Sequence, residues 1–291
     1  MKLLVKFTLL FVLVFGAGQA LAGFFLYRFL EANARNEVIQ QARLMLQSAL
    51  SIREYTESEI TPLLDTPKMR GTDFLPQTIP FYAATQSFNA FRHYYPDYAY
   101  KEATRNPTNP RDRAVDWEAD VITQFQNNTQ LNELLGERST PIGSSLFLGR
   151  PIVAQKECLE CHSTAGAAPA SMLKIYGTSN GFGWHNQEVV GAQIVSVPTS
   201  VPNAAAKEAF RSLMICLGSV SALTLLLLDL ALYATVIRPV LKLSKVADEI
   251  SQGNFEVHMS EARGADEIAM LGRSFNRMYV SLTKAMRLLG D

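Results

Sequence analysis

The sequence has little cysteine, histidine or tryptophan and no surplus of either charge. Of its 291 residues three are Cys, four His and two Trp, and 27 Lys and Arg balance 27 Asp and Glu. Three cysteines are too few, and odd in number, for a secreted disulfide scaffold. A net charge of zero provides no basic field to hold nucleic acid or an anionic surface, so a nucleic-acid binder is argued against. No internal repeat or low-complexity tract appears. Nor do paired carboxylates or a nucleophile–base spacing stand out, so nothing points to an enzyme. What remains is a 48% apolar, 19% charged chain of ordinary average composition, in which the apolar residues are unevenly placed.

From Phe7 to Tyr27 there is no charged residue, which is roughly 31 Å of helix and matches the hydrocarbon thickness of a bilayer. The stretch is expected to be a first transmembrane helix (residues 7–27) behind a short N-terminus (residues 1–6). The alternative is a cleaved signal peptide, with Lys2 and Lys6 as its basic region and Ala20-Leu21-Ala22 as its cleavage site. The apolar run continues through Gly23-Phe24-Phe25-Leu26-Tyr27, past that site, and this supports an uncleaved anchor. A second charge-poor run, residues 212–237, is broken only by Asp229 and ends at Arg238-Pro239. An acid near mid-membrane costs about 3 kcal/mol on insertion scales. Asp229 is expected either to meet a polar residue of the other span, such as Gln19, or to be a tolerated acid in a strongly apolar helix. Two spans put both termini on one side and leave residues 28–211 as one extramembrane domain. The basic flanks tie, so charge alone does not orient the chain.

The domain contains two cysteines, in Cys158-Leu159-Glu160-Cys161-His162. C-x-x-C-H is the attachment signature of a c-type haem. Two thiols three residues apart on a tight turn can reach the two vinyl groups of one porphyrin, and the adjacent imidazole then lies under the iron. A thiol–disulfide centre would normally open a helix after a strand in a βαβ unit, and zinc would need a fourth ligand that no second C-x-x-C or H-x-x-x-H supplies. One covalently attached haem c per chain is therefore expected, with Cys158 and Cys161 as thioether attachments and His162 as proximal iron ligand. Covalent attachment occurs outside the cytoplasmic membrane. The domain is accordingly placed in the periplasm, both termini in the cytoplasm, and the chain in a bacterial inner membrane.

The sixth iron position accepts a thioether, an imidazole or nothing. Candidates are Met45, Met69, Met172, His93 and His185. Met45 is the protein side chain favoured as a possible distal ligand, beside an open or water-bound site; it lies on the helical stripe Val38, Ala42, Met45, Ala49 and Ile52, which equally suits a role as core filler. His185 follows the glycine-rich turn Gly181-Phe182-Gly183-Trp184, which would let the backbone close over a flat ligand.

Periodicity predicts helix from Tyr27 to about Ile60, ending before Pro62, then helices over 81–95 and 114–135. Residues 145–148 and 152–155, around Gly149-Arg150, read as a hairpin, and residues 188–197 as a strand. The class is α+β. Beyond Pro239, Val240, Leu243, Ala247 and Ile250 step by three and four, and Ile268, Leu271, Phe275, Met278, Leu282, Ala285 and Leu289 do so again. One chain cannot bury both seams. A homodimer forming a parallel four-helix bundle over residues 238–291 is expected, opened at its second helix by Asp266-Glu267.

Pro239, the Gly253-x-Phe255 connector and Asp266-Glu267-Ile268 followed by Leu271, Phe275 and Met278 resemble a HAMP linker. The extramembrane stretch resembles the single-haem, PAS-like periplasmic sensor domains long classed as a domain of unknown function. The resemblance is carried by Arg53-Glu54-Tyr55-Thr56, Asn106-Pro107-Thr108-Asn109-Pro110, Cys158 to His162, Tyr176-Gly177, Gly181 to Trp184 and Val190-Gly191-Ala192. It implies a PAS-like sheet with covalent haem on Cys158 and Cys161 and His162 as axial ligand. Some such domains use a cysteine on the distal side; the only other cysteine here, Cys216, lies in the second span, so that ligand is not carried over.

The function expected is that of a membrane-bound c-type haem sensor. It would pass a redox or gas-ligand signal through HAMP to a cytoplasmic signalling partner, since the sequence ends at Asp291 without an effector region. The alternative is a membrane-anchored c-type cytochrome exchanging electrons with a periplasmic partner.

Overall fold

The computed structural model describes residues 3–64, 73–141, 143–254 and 264–290, with the side chains of 287–290 excepted. Met69, Phe255 and the side chain of Leu289 lie outside the described residues. The chain divides into two compact units, residues 28–209 and residues 1–27 with 210–291.

The first unit is α+β. Its strands β1 (Ala99–Thr104), β2 (Leu134–Thr140), β3 (Gly143–Val153) and β4 (Val189–Pro198) form one sheet in the order β1-β4-β3-β2. Every neighbouring pair is antiparallel. Side chains alternate between two faces, as the pleat requires. On one face Tyr100, Leu146, Leu148, Val195 and Val197 pack against Val38, Ala42, Leu46 and Ala49 of the long helix Leu3–Tyr55 and against Ala84 and Phe88 of helix Pro80–Phe91. On the other, Ala103, Ala192 and Ile194 pack against Val121, Ile122 and Phe125 of helix Asp116–Asn127. Both faces of the sheet are thus covered by apolar helix stripes from the same chain.

Several expectations are corrected. The helical path continues past Pro62: a π-turn, Thr56–Ile60, hands over to Thr61–Leu64, and Pro62 falls at the second residue of that new turn, where a missing N–H costs little. Helix 81–95 ends at Phe91, before turns that lead to Pro96. Helix 114–135 stops at Asn127, where Asn128 Oδ1 accepts the N–H of Gln130 in a local turn, and residues 134–140 become β2. The hairpin around Gly149-Arg150 does not exist, because Gly149, Arg150 and Pro151 pair with Ile194, Gln193 and Ala192 inside one long strand. A side chain at Gly149 would approach Val121 Cγ1 to 3.2 Å, so this glycine admits a helix rather than making a turn. The hairpin joins β2 to β3 instead.

Among the described residues, two helices are long and apolar enough to cross a membrane, one near the N-terminus and one in Ser200–Ser251. Their packing keeps one antiparallel register: Tyr27 meets Phe210 edge-on at 5.8 Å, Gly23 faces Met214, Gln19 faces Gly218, and Thr8 donates to Asp229 Oδ2 at 2.9 Å. Asp229 therefore does find a polar partner, but it is Thr8. Gln19 is eleven residues further along its helix, about 16 Å away in axial rise. Helices Arg238–Ser251 and Glu267–Gly290 follow. Asp266 Oδ1 accepts the N–H of Ala269 at 2.7 Å and caps the second. Val240, Leu243, Ala247 and Ile250 are half-buried as a stripe, whereas Leu271, Met278 and Leu282 of the second seam are exposed.

Candidate functional site

The candidate site is a single tight turn and the loop that wraps it. After β3, Cys158 N–H donates to Gln155 O and Leu159 N–H to Lys156 O, so the chain is already turning when it enters the short helix Leu159–His162. His162 N–H donates to Cys158 O at 3.0 Å, which closes one helical turn with Cys158 at its start and His162 at its end. Both thiols are free and half-buried. Burial pushes the Cys161 thiol above its usual pKa, and the charges of Glu160 and Cys158 add to the effect. A reactive thiolate needs the opposite environment. Moreover, the sheet beside the turn is wholly antiparallel, unlike the βαβ unit in which redox C-x-x-C pairs sit.

His162 is held on three sides. Its Nδ1–H donates to the carbonyl of Gly181 at 2.7 Å, with Thr108 Oγ1 at 3.4 Å, and its ring stacks on Trp184 with centroids 4.0 Å apart and planes 15° from parallel. A carbonyl can only accept, so the bond to Gly181 fixes the proton on Nδ1 and leaves Nε2 as the lone-pair nitrogen. Burial lowers the His162 pKa, an effect the Gly181 bond opposes. The neutral imidazole that a metal requires is thereby preferred.

The loop is tied to the turn by backbone bonds, Gly183 N–H to Ser163 O and Trp184 N–H to His162 O. Gly181 is obligatory: its φ is +87°, and a Cβ there would lie 2.0 Å from Thr108 Oγ1. Thr108 reaches this point from the segment Asn106–Pro110, whose Asn106 Nδ2 also donates to Phe182 O at 3.5 Å. The segments Asn106–Pro110 and Gly181–Trp184, far apart in sequence, therefore share one task, the seating of His162. The individual roles of Thr108, of the Gly181 carbonyl and of the Trp184 ring were not legible in the sequence. Prolines and glycines mark a shaped loop without saying what it faces.

The other candidates are dispersed. Met45 packs against the helix–sheet core of Val38, Ala42, Leu46 and Ala49, a cluster that includes neither His162 nor its partners. Met172 is buried on the short helix Ala170–Tyr176. His93 is exposed beyond the end of its helix, and His185, with its side chain 84% exposed, pairs with Glu188 at 3.2 Å. Among the described residues no group of three or more His, Cys, Asp or Glu side chains comes together to hold a metal ion.

Residues 31–198 match the family model described as Tll0287-like, and residues 231–284 match the HAMP domain model. A solved structure, the cyanobacterial heme-protein Tll0287, aligns at 16% identity with a TM-score of 0.44, over 56% of this chain and 95% of its own. No curated protein matches the chain.

Proposed function

The chain belongs to the Tll0287-like family and carries a HAMP domain after it, and from this we propose that it is a membrane-bound sensor carrying one covalently attached haem c. Cys158 and Cys161 are its thioether attachments and His162 its proximal ligand. The observation that carries the reading is the turn itself: two free cysteines and a histidine on one helical turn, the histidine's Nδ1 committed to Gly181 and its Nε2 left to bind. The haem would supply an iron able to change oxidation state or to take up a diatomic gas. Gly181, Thr108 and Trp184 hold the imidazole plane, so that a change felt at Nε2 presses on the loops 106–110 and 181–184. For the sixth iron position the proposal keeps Met45 or an open, water-bound site; the first would require Met45 to turn out of the core stripe of the long helix.

In this reading residues 1–6 are a cytoplasmic N-terminus, 7–27 and 212–237 the spans, 28–211 a PAS-like periplasmic domain, and 238–291 the cytoplasmic HAMP region of a homodimer. Exposed span residues such as Leu13 at 69% and Leu226 at 66% support a lipid environment, because so much apolar surface in water would be costly. The exposed seam Leu271, Met278 and Leu282 supports a second copy. The HAMP region would convey the signal to a partner protein, and the role is non-enzymatic.

Reduced-minus-oxidised and CO-difference spectra of the purified full-length protein test the reading. A c-type α-band that survives denaturing electrophoresis is expected, with its loss in Cys158→Ser and Cys161→Ser. No α-band in the unsubstituted protein sinks the proposal. A CO-inert spectrum with fast exchange to a soluble cytochrome would turn it towards electron transfer.

A further inference from the structure

A cavity of about 310 Å³ lies where helices Pro80–Phe91 and Asp116–Asn127 flank the sheet, lined by them and by side chains of β1, β4 and β2. That volume is at the small end of ligand sites. Four of its lining side chains are cationic and two anionic. Two of the cations are matched: Lys101 pairs with Glu118 at 2.6 Å and Arg111 with Asp112 at 3.3 Å. Among the described residues neither Arg92 nor Arg138 has a carboxylate within ion-pair distance. The cavity thus presents two uncompensated guanidiniums, and a concave wall strengthens their field at its centre.

Arg138 is also held in place. Its guanidinium lies 4.3 Å over the ring of Trp117, which in turn packs on Phe147 at 5.2 Å. A guanidinium fixed by an aromatic face loses less freedom when it binds a planar anion, and its fork fits a carboxylate with two parallel hydrogen bonds. Trp117, Ile194 and Ala99 give the same cavity an apolar wall suited to a carbon skeleton rather than a bare inorganic ion. Thr85, another lining residue, keeps its hydroxyl buried and, among the described residues, without a hydrogen-bond partner.

We propose that this cavity binds a small organic carboxylate, with Arg138 and Arg92 as its recognition pair and Trp117 as the platform under its carbon body. It is a second site, distinct from the Cys158–His162 turn, and the inference does not depend on the cofactor. It would give the extramembrane domain a metabolite input beside the one proposed above.

The test is isothermal titration of the full-length protein in detergent with acetate, succinate, citrate, benzoate and inorganic phosphate, repeated on Arg138→Gln and Arg92→Gln. Both arginines are at least partly exposed, and circular dichroism confirms that each variant keeps its fold. At least one carboxylate is expected to bind at one per chain, about tenfold more weakly in each variant, with phosphate about tenfold weaker than that carboxylate in the unsubstituted protein. The proposal is overturned if no carboxylate binds up to about 10 mM. It is equally overturned if both variants bind unchanged, or if phosphate binds as tightly as the best carboxylate.

Discussion

The two units of the chain solve the same problem in opposite ways. Residues 28–209 bury their apolar side chains against each other: Leu46, Phe125, Ile122 and Leu148 are at 0% exposure between helices and sheet. The described residues of the other unit leave many of theirs outside, among them Leu13 and Leu226 on the two long apolar helices and Leu271 and Met278 on the last helix. One unit is stable by its own packing. The other leaves a continuous apolar surface and a narrow three-four stripe uncovered, which the proposed function assigns to lipid and to a second copy of the chain. An exposed hydrophobic side chain is therefore read differently according to how its neighbours are spaced.

The largest effect that separates the units comes from truncating one residue in each. Phe125→Ala, between the sheet and helix Asp116–Asn127, should lower the stability of the unit of residues 28–209 by about 3–5 kcal/mol in chemical denaturation. Leu226→Ala, on the exposed apolar surface of the helix Ser200–Leu232, should leave it within about 0.5 kcal/mol. Equal losses would mean that the two surfaces are not different in kind.

Each unit shelters one carboxyl group with a hydroxyl. Glu102, 6% exposed, accepts from Tyr100 Oη, as Asp229 accepts from Thr8. Burial pushes the Glu102 carboxyl up to about 8, with the Tyr100 hydrogen bond and Arg53 opposing. The folded state then holds a proton that the unfolded chain, near 4.5, releases. Stability from this group is full below about 4.5 and is lost as pH rises towards 8. Glu102→Gln should remove that fall, so the variant gains roughly 2–4 kcal/mol over the parent at pH 8 relative to pH 5. Parallel pH profiles for parent and variant would show that Glu102 is ionised in the folded domain.

The smallest effect falls on the second unit alone. Leu271→Lys combined with Met278→Lys places two charges on the exposed seam and should weaken self-association in detergent at least tenfold, about 1.4 kcal/mol, by analytical ultracentrifugation. The denaturation midpoint of the unit of residues 28–209 should not move. A dimer that survives both charges would place its contact elsewhere on the chain.

Much of this was legible in the residues because it was periodic or adjacent. Charge-free stretches gave the long apolar helices, three-four steps gave the tail, and Cys158 to His162 occupies one turn whatever surrounds it. What escaped was set by tertiary neighbours. β1 carries Lys101 and Glu102, which no strand pattern favours, yet Lys101 reaches Glu118 and Glu102 is sheltered by Tyr100. Gly149-Arg150-Pro151 has the composition of a turn, but β4 supplies it with partners and Val121 explains the glycine. The seat of His162 is built from loops more than 50 residues before and about 20 after it. Local spacing cannot encode such a meeting.

The chain's tryptophans number two, and their positions have an optical consequence. Trp184 lies flat on the His162 ring, and Trp117 lies under Arg138 in the wall of the cavity. Each indole is thus a fluorophore already installed at one of the two sites, with no third to confuse the emission. Trp117→Phe leaves Trp184 as the single indole, against the ring of His162, where a haem held on that turn would quench its emission; the residual fluorescence of that variant would therefore measure the fraction of protein without haem, with no added label.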